Sequence, residues 1–218
     1  MLNVNLALRL PLLCMSFAYR VRSSVVYCLF PLLAACVSPE DNARRQARAS
    51  QLEADLRSLS PLVSAQEAQK LATTAVGRAH ELNCQWQPAQ FAWMNNFFVN
   101  TGLRQNGLCY QWREAMFPPL HQLRLRTLDL HLATARRATL REHNAIVVTA
   151  HGRPFKDGIV LDAWRSGGIL KWARIQTDHY PWKPLPWALT PVVLRPLIMP
   201  ELTPPVRSAD ASKAGSAR

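Results

Sequence analysis

The chain has 218 residues and a formal charge of +12, carried mostly by arginines scattered along it. No lysine-arginine block and no recognition-helix motif accompanies that excess, so nucleic acid is the least expected partner. A solvated basic surface is the plainer reading, with anionic lipid or an anionic envelope polymer as alternatives. Setting aside the first 35 residues as a leader removes Arg9, Arg20 and Arg22, which leaves 183 residues at +9, the length of one domain with a sizeable core.

The first 35 residues contain those three arginines, no Asp or Glu, and two apolar runs that end at Leu33-Ala34-Ala35-Cys36. That is the layout of an export signal. The second run, 25–35, is about half the ~20 apolar residues a membrane-spanning helix needs, so a retained span is not expected. Leu-Ala-Ala-Cys resembles the lipobox of bacterial lipoproteins. The resemblance implies cleavage before Cys36, lipidation of its thiol and attachment to a membrane. Val37 stands where an inner-membrane retention signal would place Asp, which implies the outer membrane, facing the periplasm. Met15 opens a second complete signal ending at the same cysteine.

Ser38-Pro39-Glu40-Asp41 has the layout of a helix start, and Leu52, Leu56 and Leu59 follow at helical spacing in an arginine-rich run. This segment is expected as a semi-exposed stalk. Ser60-Pro61 interrupts it. Ser64 and Glu67 form a capping-box signature for a second helix whose apolar face is Ala68, Leu71, Ala72, Ala75, Val76, Ala79 and Leu82. Residues 36–88 are therefore read as a helical stalk and support helices. Residues 89–202 are read as the main domain and 203–218, poor in apolar residues, as a disordered tail.

Within the main domain, the aromatic run 91–99 predicts a buried helix, and 108–120 another, stopped by Pro118-Pro119. From Leu128 the period changes to two, predicting a strand with Leu128, Leu130 and Leu132 on one face. Strands follow at 144–150 and 158–164, joined by a turn-rich loop, and a further strand at 169–175 after the Arg165-Ser166-Gly167-Gly168 turn. Past Tyr180 the proline punctuation predicts an extended wrap without regular elements. Helices first and an antiparallel meander afterwards predict an α+β fold.

The chemistry centres on Cys109. Beyond Cys36 only Cys84 and Cys109 remain, and in an oxidising compartment two cysteines invite a disulfide. A cysteine opening a helix is also placed to act as a thiolate, favoured by the dipole and by a neighbouring imidazole. His143 sits at the mouth of an apolar strand. Asp162 interrupts the next one, a costly place for an unpaired carboxylate. Gly107 fits as a small residue that lets backbone and substrate approach the sulfur. Asp162 pairing with Arg165, or capping the next turn, is the structural alternative. The other histidines, 80, 121, 131, 151 and 179, show no metal-ligand spacing with Cys or acid, so neither metal nor other cofactor is expected.

Gly107-x-Cys109-x-x-Trp112 opening a helix, His143 34 residues beyond the cysteine and Asp162 19 further on resemble the Cys-His-Asp core of the transglutaminase-like cysteine peptidases, within the papain-like group. The resemblance spans roughly residues 95–175. It implies a helix packed on an antiparallel sheet, with Cys109 as nucleophile, His143 as general base and Asp162 as its orienter. It also implies a peptide, protein or envelope-polymer amide as substrate. Trp112, Trp164 and Gln105 are groove candidates, and Gln105, Asn95 and Asn96 are candidates for the oxyanion donor beside the Cys109 N–H. Where that family usually carries an aromatic soon after its histidine, this chain has Asn144-Ala145-Ile146. The rival expectation is a non-catalytic lipoprotein that uses the same fold as a binding module, with a Cys84–Cys109 disulfide.

Overall fold

A computed structural model describes residues 39–198 apart from residue 90. The leader, Cys36 and the 203–218 tail lie outside the described residues. The chain divides into two compact units, Met1–Arg44 and Arg45–Arg218. The first is described only over its last residues, and the second holds the sheet, the hydrophobic core and the Cys109, His143 and Asp162 side chains. Among the described residues there are five helices and one five-stranded sheet, an α+β arrangement. The helices are α1 (Pro39–Arg57), α2 (Ala65–Trp86), α3 (Ala92–Asn100), α4 (Cys109–His121) and a short α5 (Arg195–Ile198). The strands are β1 (Leu128–Ala135), β2 (His143–Ala150), β3 (Ile159–Asp162), β4 (Lys171–Arg174) and β5 (Lys183–Pro184). No described helix is long and apolar enough to cross a membrane.

The sheet order is β4-β3-β2-β1-β5, with every pairing antiparallel. β2 is central, and all eight of its residues are buried. Alternation then assigns its side chains to two faces. Ile146, Val148 and Ala150 join Leu52, Leu71, Trp112, Phe117 and Leu161 in the core under the helices, whereas Ala145 and Val147 join Ala133, Val160 and Trp182 in a smaller cluster on the opposite face.

Helix α1 differs from the expected stalk. Leu52 and Leu56 are fully buried, and the helix is tied to β4, with Trp172 Nε1 donating to Asp55 Oδ2 at 2.7 Å and Arg48 lying 4.9 Å over the Trp172 ring. Two such leucines suffice to dock a helix whose other faces are polar, because each buried leucine contributes about 1.5–3 kcal/mol.

The capping box is half formed. Ser64 Oγ accepts from the Glu67 N–H, but the Glu67 carboxylate turns away to accept from the backbone N–H groups of Arg126 and Thr127 and from the Thr127 hydroxyl. It thereby anchors the start of β1. Pro118 and Pro119 do not end α4; they lie within its last turn. Proline removes a donor, and the Ala115 carbonyl, which loses its helical partner to Pro119, accepts from Arg78 Nε on α2 at 3.2 Å instead.

Helix α3 forms, but its aromatics are not buried as expected. Phe91 at the N-cap and Trp93 and Phe97 in the helix are more than half exposed, and among the described residues of the helix it is Asn95 that is buried. Its amide accepts from and donates to the backbone of Ala89, closing the turn that leads into the helix. The proline-rich wrap, expected without regular elements, contains two among the described residues, β5 and α5. β5 pairs with β1 through Thr134 and Lys183, and Pro184 is tolerated because the strand is at an edge.

Candidate active site

Cys109 is the first residue of α4, half-buried, preceded by Leu108 as N-cap and by Gly107 at φ +142°. Gly107 is needed for that backbone angle: it is buried, and a side chain there would meet Asn95 and Val99 of α3 at ordinary contact distance. The loop before the cysteine is held by Gln111 one turn into the helix. Its Oε1 accepts from the N–H groups of Gly107 and Leu108 at 2.9 and 3.0 Å, and its Nε2 donates to the Gln105 carbonyl at 3.0 Å. Cys109 is thereby held at the N-terminal end of α4, where the helix dipole favours negative charge.

The first residue of β2 brings His143 to this point and the last residue of β3 brings Asp162. His143 Nε2 and Asp162 Oδ2 are 2.5 Å apart, and each side chain is only 1% exposed. The β2–β3 register, Ile146 opposite Leu161, puts both side chains on the same face of the sheet. Nε2 being engaged, the other ring nitrogen is the one left for chemistry. Nδ1 is buried with no hydrogen-bond partner of ordinary geometry among the described residues. Burial pushes the imidazole toward the neutral form, but the Asp162 carboxylate and the Cys109 thiol beside it more than offset that, and its pKa is raised to about 9.

Asp162 is held by more than the histidine. Oδ1 accepts from the N–H groups of Trp164 and Arg165, and Oδ2 also accepts from Arg165 Nε at 2.6 Å. The pairing with Arg165, the turn cap and the pairing with His143 therefore coexist on one carboxylate. Burial opposes its charge, but the His143 bond and the Arg165 charge overcome that and hold its pKa below the ordinary carboxylate value. Arg165 in turn donates to Asp178 at 2.7 Å. The imidazole is walled by Trp164, Tyr180 and Trp182, with ring centroids 4.6, 4.8 and 5.2 Å away.

On the other side of the sulfur stands Asn144, whose Nδ2 is 3.7 Å from Cys109 Sγ. Its Oδ1 accepts from Arg113 Nη1 at 2.5 Å. The Glu142 carbonyl lies 3.8 Å from the same sulfur.

The other sequence candidates separate. Trp164 lies at the site. Trp112 is 1% exposed and packs edge-on against Trp86 at 4.7 Å, so it belongs to the core rather than to a groove wall. Gln105 is exposed, and its backbone carbonyl, bonded to Gln111, is the part of it tied to the site loop. Asn95 is spent on Ala89. No disulfide joins Cys84 to Cys109; the Cys84 sulfur lies 3.6 Å from His80 Nε2 on its own helix.

Four contributions were not read from the sequence: Gln111, Arg113, Asn144 and the segment with Asp178, Tyr180 and Trp182. The last carried a signal, since charged and aromatic residues at every second position of a proline-punctuated stretch present one face. Arg113 carried another, four residues beyond Cys109 and so on the same side of the helix.

The chain matches no protein-family profile, no curated protein and no solved structure.

Proposed function

We propose that the protein is an envelope lipoprotein, anchored through Cys36 and facing the periplasm from the outer membrane, with a papain-like, transglutaminase-type thiol acyl-transfer site. The observation that carries the reading is the 2.5 Å contact of buried His143 Nε2 with Asp162, which leaves Nδ1 as the nitrogen available to Cys109. An imidazole with a pKa raised to about 9 holds a proton at neutral pH, and part of that affinity comes from the sulfur next to it.

These positions support the following reaction. The Cys109 sulfur, its proton on His143 Nδ1, attacks the carbonyl carbon of an amide; the carbonyl π pair moves onto oxygen. As the pair returns, the carbon–nitrogen bond breaks and His143 gives its proton to the leaving amine. Asp162 keeps the ring oriented and balances its charge without taking the proton itself. The thioester then passes its acyl group to water or to an amine, so hydrolysis and transamidation share every step up to that partition. Peptides, proteins and envelope polymers supply such amides.

The test is alkylation of Cys109 by iodoacetamide at pH 6.5 on the full chain, read at the Cys109 peptide by mass spectrometry, with Cys84→Ser as a control. Rapid labelling that slows about tenfold or more in His143→Ala supports an activated thiolate. Labelling equally slow in both proteins, or only after reduction, sinks the reading and leaves a non-catalytic binding module.

A further inference from the structure

We propose that the side-chain amide of Asn144, aimed at the Cys109 sulfur by the buried guanidinium of Arg113, is the second oxyanion donor of this site, beside the backbone N–H of Cys109. The inference rests on the thiol acyl-transfer reading of Cys109. It identifies a group that the Cys-His-Asp arrangement does not contain.

Consecutive residues of β2 point to opposite faces of the sheet. His143 goes to the face of Trp182 and Tyr180, and Asn144 to the helix face with Ile146 and Val148, where its partner Arg113 sits on α4. Cys109 stands at the end of the sheet where both faces are reachable, so it meets the imidazole from one side and the amide from the other. That is the layout an acyl transfer needs, with the proton carrier and the oxyanion donor on different sides of the sulfur.

The amide can point only one way. A guanidinium has donors and no acceptor, and an ionised carboxylate accepts only. Arg113 Nη1 is 2.5 Å from one end of the Asn144 amide, and Glu142 Oε1 is 3.2 Å from the other. The oxygen must face the arginine and the NH₂ must face Glu142. One N–H goes to that carboxylate, and the second is directed at the sulfur 3.7 Å away. The oxygen of a carbonyl whose carbon is bonded to that sulfur would lie within hydrogen-bond reach of this N–H.

The cost of the arrangement argues for a use. Arg113 and Asn144 are each only 6% exposed, and burying a guanidinium and an amide where apolar residues would serve is unfavourable unless they are paired. Glu114 takes one Arg113 nitrogen at 3.3 Å, while Nε has no partner among the described residues. Burial lowers the arginine's pKa, opposed by Glu114, Cys109 and Glu142. Negative charge on the sulfur or on a developing oxyanion is therefore what this buried cation and the amide it orients are placed to meet.

When the sulfur–carbon bond forms, the carbonyl electron pair moves to oxygen, where Asn144 and the Cys109 N–H donate to it. When the pair returns, the bond to the leaving group breaks, and the proton for that group comes from His143. Asn144 exchanges no proton.

Two probes separate this role from activation of the thiol. p-Nitrophenyl acetate acylates through a tetrahedral oxyanion; iodoacetamide alkylates by direct displacement and forms none. The full chain is assayed for the Cys109-dependent burst of p-nitrophenolate, taken as the difference from Cys109→Ala, and for iodoacetamide labelling at Cys109. Asn144→Ala is compared with the double variant Arg113→Met with Asn144→Leu, which leaves no buried guanidinium without its partner, so that the fold is retained. Loss of one oxyanion donor is expected to slow the ester reaction about 10²- to 10³-fold more than alkylation slows on the same protein, because any change in thiolate charge is common to both reactions. Equal falls in both reactions, or an ester rate within about threefold of wild type, would overturn the assignment. A wild-type chain that alkylates rapidly but shows no burst above Cys109→Ala overturns the donor role alone; one that does neither overturns the thiol reading as well.

Discussion

Arg165 grips Asp162 twice, through Nε at 2.6 Å to Oδ2 and through its own backbone N–H at 3.2 Å to Oδ1. The oxygen that contacts His143 is thus held by a cation as well, and the carboxylate ties the turn after β3 to the imidazole. Asp162→Ala leaves a buried imidazole without its partner and Arg165 with Asp178 alone, and we expect a loss of about 3–5 kcal/mol in urea unfolding. Asn at this position keeps the shape and loses the charge, so it should cost less. Because the folded-state pKa of Asp162 is depressed, its contribution is present above the ordinary unfolded value of about 3.9 and lost as the pH falls through the lower folded value. Wild type should lose stability over that acidic window, and Asp162→Asn should lose less of it.

The imidazole provides the opposite sign. Its pKa is raised to about 9 in the folded protein, so its stabilisation is fully present below the unfolded value of about 6.5 and disappears as the pH rises from there through about 9. NMR titration of the His143 ring should give a midpoint near that value in wild type. It should move down in Cys109→Ala and further in Asp162→Asn, following the weight of the two partners. A midpoint unmoved by either substitution would show that neither group acts on the ring.

Helix α1 offers a test of its docking. Leu56→Ala removes a side chain that is 0% exposed, and we expect a cost of about 2–5 kcal/mol. A free-standing stalk would tolerate the same change within about 0.5 kcal/mol. Chemical denaturation of the single mutant distinguishes the two.

Gly168 closes the turn that follows Asp162. Its φ is +90°, its N–H donates to the Ala163 carbonyl at 2.8 Å, and an added Cβ would fall 2.4 Å from Asn83 Cβ on α2. Gly168→Ala should destabilise by at least about 1–3 kcal/mol from the backbone alone. Gly152→Ala, also at positive φ but with nothing within 4 Å, should lose only that backbone part. Thermal melts of the pair isolate the packing contribution.

The order of elements, the positions of the long helices and all four predicted strands follow from periodicity and turn chemistry, which act over a few residues and are written locally. The same is true of Cys109 at a helix start and of His143 and Asp162 on neighbouring strands, since a charged residue in an apolar run announces that it needs a partner. Which partner is a different matter. The exposure of Phe91, Trp93 and Phe97, the burial of Leu52 and Leu56, the β5 pairing, and the meeting of Arg113 with Asn144 across 31 residues of chain depend on which surfaces the folded chain brings together. Local pattern determines which face of an element is apolar and where a polar group is costly. Only packing decides what covers that face and which donor satisfies that group, because burial and hydrogen bonding are settled between segments distant in sequence.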